Sequence, residues 1–311
     1  MSDRRFRFGV QAHQAADGRV WTDLAQRAEE LGYSTLLVMD HFGDQLGPVP
    51  AMTAAAAATR ELRVGSLVFD NDYRHPVTLA KDIATVDLLS GGRVEFGLGA
   101  GWMTSDYEES GIPLDPAPVR IDRMEEAIAI FKGLWAPGPF SHDGEHYRIT
   151  DLEGTPKPVQ HPHPPVLIGA GGKRMLGIAA READIVGINP SMSAGAISRE
   201  AALDSTAAAV DGKVERLRER AGARFDDIEL NIFSYAVVVT DDRQSVGEYV
   251  AGRFGVTPAD IDAMPYALVG SPGEIADDLR SYRDRWGTSY FTIMADAIEP
   301  FAPVVAELTG T

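Results

Sequence analysis

Short apolar runs alternate along the chain with longer segments whose apolar residues recur every three or four positions. Short runs rich in β-branched residues predict buried strands, and the three-and-four spacing predicts helices with one apolar face. Eight runs are predicted strands, each followed by a predicted helix: residues 6–11, 34–39, 62–69, 93–98, 166–168, 183–188, 228–239 and 290–294. Parallel strands joined by right-handed crossovers can close without leaving an exposed edge. The pattern therefore predicts an α/β fold, a (β/α)8 TIM barrel, with an open doubly wound sheet as the alternative.

Residues 62–102 show this alternation most clearly. Pro76 stands where a helix can begin, because its ring fixes φ and its missing N–H needs no partner there. One face of the following segment is apolar, through Leu79, Ile83, Val86 and Leu89. Ser90-Gly91-Gly92 ends the predicted helix, and the next strand begins at Arg93. The segment thus predicts a strand, a crossover helix and a second parallel strand.

Three polar or proline-rich segments interrupt the alternation, near residues 104–118, 136–165 and 241–267. We interpret them as insertions at the strand carboxyl-end face of one domain spanning residues 1–311, because long irregular segments usually lie on the surface. A hairpin is predicted at 140–149 and a helical piece at 246–254. One long helix is predicted over 199–221. Ser271-Pro272-Gly273-Glu274 predicts another helix start, since it combines a serine cap, a first-turn proline and a glutamate three positions on.

Composition and charge narrow the class of protein. The chain has 311 residues, 44% of them apolar, and a net charge of −17. An acidic balance argues against nucleic acid or an anionic membrane as partner, since both favour clustered Lys and Arg. Cysteine is absent, which excludes disulfides, thiol nucleophiles and thiolate metal sites. The first ten residues lack a signal-peptide core, and no apolar run reaches the roughly 18 residues of a membrane span. We expect a cytoplasmic protein.

Polar and glycine-rich sequences follow several predicted strands. Asp40-His41 follows the second strand, and Asp70-Asn71-Asp72 follows the third. Gly97-Leu98-Gly99-Ala100-Gly101 and Gly169-Ala170-Gly171-Gly172-Lys173 follow the fourth and fifth. Ligands of parallel α/β folds bind beyond the carboxyl ends of the strands. These segments are therefore the candidate site.

The glycine runs allow two interpretations. The first run is not a dinucleotide fingerprint, because Trp102 stands where the third glycine belongs, and the second is not a P-loop, because Arg174 replaces Ser or Thr. The glycines either turn tight corners or let a flat or phosphorylated ligand approach the backbone. We favour the second interpretation for residues 169–173, which lead into a helix N-terminus that attracts phosphate.

Among the histidines of the sequence, only His41 is a strong candidate for a catalytic residue. His41, beside a carboxylate at a strand end, is a candidate proton donor or a donor to a ring nitrogen. His75 precedes Pro76 and is expected to cap or orient the loop. His161 and His163 alternate with prolines that hinder chelation, so we interpret them as part of a rigid connector. No histidine pattern of a metal-dependent hydrolase is present, and no metal is expected.

Several of these pieces together resemble the bacterial-luciferase-like family of flavin- and deazaflavin-dependent oxidoreductases. The most specific combination is Leu88-Leu89-Ser90-Gly91-Gly92-Arg93 with the glycine run that ends in Trp102. The other matching segments are residues 28–33, 40–41, 74–76, 156–160, 164–169 and 270–274, in this order along nearly the whole chain. The resemblance implies a (β/α)8 barrel, often dimeric, with an isoalloxazine or deazaflavin ring at the strand carboxyl ends.

The resemblance also implies roles for individual residues. Asp40 and His41 are the implied catalytic residues, which lie against the ring, and His41 assists proton or hydride transfer. A non-prolyl cis peptide bond is implied at Leu67–Val68, behind the ring, and a phosphate-holding loop at Gly171 and Gly172 with Lys173 nearby. The implied cofactor-binding residues are Ser66, Leu67, Val68, Asn71, Gly99, Gly101, Gly169, Gly171, Gly172, Lys173 and Asn189.

Two departures bear on the substrate. The family's sugar-phosphate dehydrogenases have an acid after the glycine run and a tryptophan shortly after Asp-His. This chain has Trp102 and Asp44-Gln45 at those places. A neutral, small organic substrate therefore fits better than a sugar phosphate.

Two cofactors remain open. Coenzyme F-420 (8-hydroxy-5-deazaflavin), which transfers hydride only, suits the Asp-His pair and a site without an evident oxygen-handling base. FMN is the alternative, in a monooxygenase that shares most of the motifs. A barrel that binds flavin without turnover is the non-enzymatic alternative. A metal-free isomerase or aldolase is a weaker alternative, because no strand-end lysine stands in an aldolase context. The leading prediction is an F-420-dependent oxidoreductase that acts as a homodimer on a small molecule.

Overall fold

The computed structural model describes residues 4–192, 195, 199–254, 257 and 264–311. Its strands in chain order are β1 Arg7–Ala12, β2 Thr35–Val38, β3 Arg63–Ser66, β4 Phe69–Asp70, β5 Val94–Gly99, β6 Pro139–Asp143, β7 Arg148–Glu153, β8 Val166–Ala170, β9 Ile185–Ile188, β10 Glu229–Ser234, β11 Ala236–Val239, β12 Ala267–Gly270 and β13 Tyr290–Met294.

The α-helices of the described residues follow in the same order. They are α1 Gly18–Glu30, α2 Pro48–Ala58, α3 Pro76–Ser90, α4 Thr104–Ser110, α5 Ala117–Trp135, α6 Lys173–Glu182, α7 Arg199–Leu203, α8 Ala207–Ala221, α9 Arg243–Phe254, α10 Pro272–Trp286 and α11 Ile298–Leu308. Short 3-10 turns lie at Asn71–Tyr73, Gly222–Asp227 and Ala295–Ala297.

The chain divides into two compact units, which we call the first unit (residues 13–26 and 36–168) and the second unit (residues 1–12, 27–35 and 169–311). In the first unit β2, β3, β5 and β8 lie side by side in that order, with β4 next to β5. In the second unit β1, β13, β10 and β9 lie side by side in that order. These eight strands form a closed parallel barrel with surrounding helices, so the predicted (β/α)8 fold is confirmed. The assignment of one domain to residues 1–311 stays a prediction.

The barrel strands are buried on both faces, as expected of parallel strands that helices cover. In the first unit Phe96 of β5 packs edge-on against Phe131 and Trp135 of α5, with ring centroids 4.7 and 5.2 Å apart. In the second unit Phe8 of β1 packs edge-on against Phe301 of α11, at 5.6 Å. Outward-facing aromatic rings thus fasten the helices to the strands.

Two predictions of single elements are wrong, because the structure has two elements in place of each one. The predicted strand at 228–239 is two strands, β10 and β11, and β11 leaves the barrel order to pair with β12. The predicted helix at 199–221 is also two helices. The first ends at Leu203, and Thr206 caps α8, because its side chain accepts a hydrogen bond from Ala209 N.

The predicted insertions contain regular structure. Residues 104–118 include α4, and residues 139–153 form the predicted hairpin, with β6 and β7 antiparallel. In the third insertion α9 begins at Arg243, three residues before the predicted helical piece. Residues 255–256 and 258–263 of that insertion lie outside the described residues. Ser271 and Glu274 form the predicted capping box at the start of α10.

The Leu-Ser-Gly-Gly-Arg motif ends α3. Gly91 and Gly92 adopt φ values of 71° and 87°, which favour glycine. Ser90 Oγ accepts a hydrogen bond from Arg93 N at 3.1 Å. The Arg93 guanidinium donates to the carbonyl oxygens of Leu62 and Ala56, both at 2.6 Å. The motif therefore joins the end of α3 to the end of α2, and its conformation accounts for its residue types.

Asp87, just before this motif, is fully buried and accepts hydrogen bonds on both carboxylate oxygens. Val159 N and Gln160 N donate to Oδ2 at 2.7 and 3.0 Å. Gln160 Nε2 donates to Oδ1 at 2.7 Å, and Val94 N at 3.4 Å. The carboxylate thus fastens the segment before β8 to the helix between β3 and β5.

We expect Asp87→Asn to lower the free energy of unfolding by about 3 kcal/mol, because an amide has one acceptor oxygen and leaves buried N–H groups without a partner. Urea unfolding measures the change. Asp82→Asn, on the same helix, is the control and should stay within about 0.5 kcal/mol of the wild-type value. Equal stability of the two variants would contradict this role of Asp87.

Candidate functional site

The third barrel strand ends in an irregular step inside the first unit. Ser66 Oγ donates to the carbonyl oxygen of Val38 at 2.8 Å, and Leu67 N donates to the same oxygen at 3.0 Å. The Leu67–Val68 peptide bond is cis, at the position that the family resemblance implied. The predicted contact of Ser66, Leu67 and Val68 with a cofactor ring stays a prediction.

The side chain of Val68 explains why residue 99 is a glycine. A Cβ at Gly99 of β5 would lie 2.7 Å from the Val68 side chain, so a larger residue does not fit between these strand ends. Gly101 is restricted twice: its φ is 72°, and an added Cβ would collide with the Tyr107 hydroxyl and lie 2.5 Å from an Asp70 carboxylate oxygen. Protein contacts therefore account for both glycines, which favours the tight-corner interpretation of this run. Cofactor contact at Gly99 and Gly101 stays a prediction.

Asp40, at the end of β2, is buried in an ion pair. Arg74 donates to both of its carboxylate oxygens, at 2.6 and 2.9 Å, and Asp70 N donates at 3.0 Å. Charged hydrogen bonds from a guanidinium fork are strong and directional. Asp40 thus holds the loop after β3 against the end of β2. Its predicted contact with the ring stays untested.

His41 pairs with a carboxylate that the sequence analysis missed. Its Nδ1 lies 2.6 Å from Asp106 Oδ2, on the short helix α4. The His41 side chain is 18% exposed and that of Asp106 only 6%. The edge of the imidazole meets Trp102, with centroids 5.7 Å apart and planes at 88°. His41 is therefore held on two sides at the strand end and keeps part of its ring at the surface.

A second group of polar side chains adjoins this pair in the first unit. Tyr107 Oη lies 3.1 Å from Asp70 Oδ2 and 3.0 Å from Asp72 Oδ2. Arg123 donates to Asp72 at 2.8 Å and also binds Asp115. One hydroxyl hydrogen cannot serve both carboxylates that face Tyr107, so a proton on Asp70 would complete the hydrogen bonds of the group.

Burial shifts the titration of these groups. It raises the pKa of Asp70 to about 7, helped by the negative charges of Asp72 and Asp40, while hydrogen bonds from Asp72 N and Tyr107 act in the opposite sense. Burial also raises the pKa of Tyr73 and Tyr107, and neighbouring aspartates add to this effect. Both tyrosines therefore remain neutral hydrogen-bond donors.

Asn71 is buried in the 3-10 turn after β4, and its amide donates to Tyr147 Oη at 3.4 Å. Tyr147 belongs to the turn of the β6–β7 hairpin. Glu126 of α5 holds the same turn, since its carboxylate accepts hydrogen bonds from Glu145 N, His146 N and Tyr147 N. The hairpin tip is thus fixed beside Asn71. Whether Asn71 also contacts a cofactor is not tested.

The second unit holds the other predicted loop. Asn189 N donates to the carbonyl oxygen of Ala170 at 3.0 Å, which places the ends of β8 and β9 together. A Cβ at Gly171 would lie 2.6 Å from the Asn189 carbonyl oxygen, so glycine is required there by the neighbouring backbone. Gly172 has open space around it, and it precedes α6 without a side-chain cap.

An ion pair between the buried Lys213 and the partly exposed Asp204 supports the β9 side of this loop. Lys213 Nζ lies 2.7 Å from Asp204 Oδ2, which also accepts a hydrogen bond from Ser191 N at 2.7 Å. Burial lowers the pKa of Lys213, although the pairing with Asp204 opposes this shift. The pair fixes the segment that follows Asn189.

The structure thus assembles the predicted residues in two sets. The set in the first unit is Asp40, His41, Ser66, Leu67, Val68, Asn71, Gly99 and Gly101. The set in the second unit is Gly169, Gly171, Gly172, Lys173 and Asn189, with Lys173 exposed. Sequence reasoning missed Tyr73, Asp106 and Tyr107, and it named Arg74 only as part of a motif. His75, as expected, caps α3 by accepting a hydrogen bond from Val77 N.

Two features lack candidates among the described residues: a metal site and a membrane-crossing helix. No group of three or more His, Cys, Asp or Glu side chains in that part of the chain could hold a metal ion. No helix built from those residues has the length and apolar character needed to cross a membrane.

A (β/α)8 barrel with its polar side chains at the ends of the strands is typical of barrel enzymes. The family model for luciferase-like monooxygenases matches residues 5–302, and the chain belongs to that family. This membership confirms the predicted family and agrees with the prediction of a redox enzyme.

Relatives of the chain use two different cofactors. The FMNH(2)-dependent dimethylsulfone monooxygenase of Pseudomonas putida is 27% identical over 220 residues, 69% of this chain and 56% of that protein. The F420-dependent glucose-6-phosphate dehydrogenase of Amycolatopsis mediterranei (strain U-32) is 31% identical over 170 residues, 52% of this chain and 50% of that protein. The chain spans about half the length of these curated relatives.

A solved structure agrees over a larger part of the chain. The coenzyme F420 dependent tetrahydromethanopterin reductase from Methanopyrus kandleri has a TM-score of 0.79 at 19% identity, covering 98% of this chain and 100% of that chain. A likeness at this identity establishes the common fold.

We expect Asp70→Asn to gain stability relative to wild type as pH rises from about 5 to about 8, by about 2.5 kcal/mol. The folded-state pKa of about 7 lies above the ordinary 3.8, so ionisation of Asp70 destabilises the native state as pH rises. Asparagine avoids this ionisation, and its amide can donate to Tyr107. Urea unfolding across this pH range measures the difference. A difference that stays constant, or that falls with pH, would refute the raised pKa.

Proposed function

We propose that this chain is an F-420-dependent oxidoreductase that moves a hydride between the deazaflavin and a small, neutral organic substrate. The observation that supports it most directly is the paired His41, held by Asp106 and Trp102 at the end of β2. A deazaflavin supplies the carbon that accepts or donates the hydride. The protein then needs a group that holds a proton, and a partly exposed imidazole suits that task at neutral pH.

Other features fit a polar, phosphorylated cofactor. His13 Nδ1 and Gln45 Oε1, on the loops after β1 and β2, are buried atoms without a hydrogen-bond partner in the described part of the first unit. A polar ligand that reaches them would satisfy both. In the second unit α6 begins without a side-chain cap, and the N-terminus of a helix suits a phosphate. Gly171, Gly172 and Lys173 would hold that phosphate, and Asn71 and Asn189 would line the ring or substrate side.

Electrostatics favour a substrate without a phosphate group. The arginines of the candidate site in the first unit already have partners: Arg74 binds Asp40, Arg123 binds Asp72 and Asp115, and Arg120 binds the carbonyl oxygen of Ala100. A sugar phosphate would have to break one of these pairs. Neutral enones, imines and alcohols would not.

An FMN-dependent monooxygenase is the second candidate. It is supported by the similarity to the dimethylsulfone monooxygenase, which covers 69% of this chain. The phosphate of FMN would bind at the same start of α6. The hydrogen bonds of the protein therefore do not distinguish FMN from F-420. The homodimer also stays a proposal.

The first test is a titration of the cofactor-free protein with coenzyme F-420 and with FMN, followed by fluorescence and calorimetry. We expect F-420 to bind at least tenfold more tightly, a difference of about 1.4 kcal/mol. The reverse preference would refute the proposal and make oxygen consumption with reduced FMN the next assay. Tight F-420 binding without hydride transfer to any enone, imine or alcohol would favour a non-catalytic barrel.

The second test concerns His41. With a substrate found in that screen, His41→Ala should lower kcat by about 10²- to 10⁴-fold, the usual contribution of a positioned acid or base. The Kd of F-420 should stay within about threefold, under 1 kcal/mol. His75→Ala is the matched control, because His75 caps α3 and packs edge-on against Tyr147. Unchanged turnover in His41→Ala would exclude the proton-transfer role.

A further inference from the structure

Within the described part of the chain His41 forms a hydrogen bond through one ring nitrogen, Nδ1, and that hydrogen bond has a defined direction. Asp106 lies 2.6 Å from Nδ1, and its carboxylate is almost fully buried. The neighbouring carboxylate in the sequence, Asp40, is bound by Arg74 and is not the partner of His41. The electrostatic environment of Nδ1 is therefore set by a residue 65 positions away in the chain.

Two further groups donate hydrogen bonds to the Asp106 carboxylate. Tyr73 Oη donates to Oδ2 at 3.0 Å, the same oxygen that contacts His41. Phe42 N points to Oδ1 at 3.5 Å. An oxygen of an ionised carboxylate can only accept hydrogen bonds, so the hydrogen between His41 and Asp106 belongs to Nδ1.

We infer that Asp106 is a positioning residue that fixes His41 as the Nδ1–H tautomer and leaves Nε2 as a hydrogen-bond acceptor. The perpendicular Trp102 ring restricts rotation of the imidazole, so the direction of Nε2 is fixed together with its protonation state. Because this assigns a state to the proposed proton carrier, its catalytic meaning rests on the proposed function. His41 then meets the reacting molecule as a proton acceptor, through a donor group on that molecule.

An asparagine at position 106 reverses the pattern of donors. Its amide nitrogen next to Phe42 N would set two donors against each other, so the oxygen is favoured on that side. The nitrogen then faces both His41 Nδ1 and Tyr73 Oη. The Tyr73 hydroxyl can rotate and accept, and a donor beside Nδ1 requires Nδ1 to accept as well. Asp106→Asn therefore favours the Nε2–H tautomer, with almost no change in side-chain volume.

The test is the tautomer itself, read from long-range ¹H–¹⁵N spectra of ¹⁵N-histidine-labelled protein at a pH where the neutral ring dominates. His41→Ala assigns the His41 signals. We expect Nδ1–H in wild type, Nε2–H in Asp106→Asn, and Nδ1–H in Asp115→Asn, which removes a nearby carboxylate that binds Arg123. Tyr73→Phe should keep Nδ1–H, because Asp106 remains the acceptor.

An Nε2–H wild-type ring, or an Asp106→Asn ring that keeps Nδ1–H, would overturn the inference. These spectra need neither cofactor nor substrate, so they separate the inference from the proposed function. Under both, Asp106→Asn also lowers kcat by about 10²-fold or more with an unchanged Kd for F-420. A changed tautomer together with unchanged turnover in His41→Ala would leave the positioning role intact and refute only the catalytic one.

Discussion

Taking a carboxylate out of water costs several kcal/mol unless donors surround it, and this constraint organises the strand ends of the first unit. Asp40, Asp70 and Asp106 are buried there, and Asp87 is buried below the end of α3. Each determines which chain segments must meet: Asp40 requires Arg74, and Asp106 requires His41 and Tyr73. The loops that follow the strands are thus positioned by the hydrogen bonds these acids need.

Local patterns predicted most of the fold, because the spacing of apolar residues by three and four positions lies within the sequence of each helix. The division at Tyr235 was missed because it depends on a distant partner, the pairing of β11 with β12. The division at 204–206 involves a local cap at Thr206, which the spacing of apolar residues does not reveal. Asp106 was missed for a related reason. It lies on a helix of seven residues, too short for an apolar face to show in the sequence.

The candidate site shows a different limit. The position of the cis bond at Leu67–Val68 came from the family resemblance, and no property of those two residues would have revealed it. The glycines of residues 97–101 were visible, but their cause was not, since Val68 and Tyr107 occupy the space that side chains would need. The motif that marks the family most specifically, residues 88–93, joins two helix ends. It therefore carries information about the barrel and little about the cofactor.

The β6–β7 hairpin is held at its turn. There Glu126 accepts hydrogen bonds from three backbone N–H groups, and Tyr147 Oη accepts one from the Asn71 amide. Its strands carry exposed side chains at alternate positions, such as Ser141 and Asp143 of β6. Because the hairpin is held at its turn, its position in the structure does not depend on most of the side chains of its strands. A combinatorial library that varies the exposed positions and keeps Glu126 and Tyr147 could therefore explore new surface chemistry near Asn71 while the barrel keeps its own sequence.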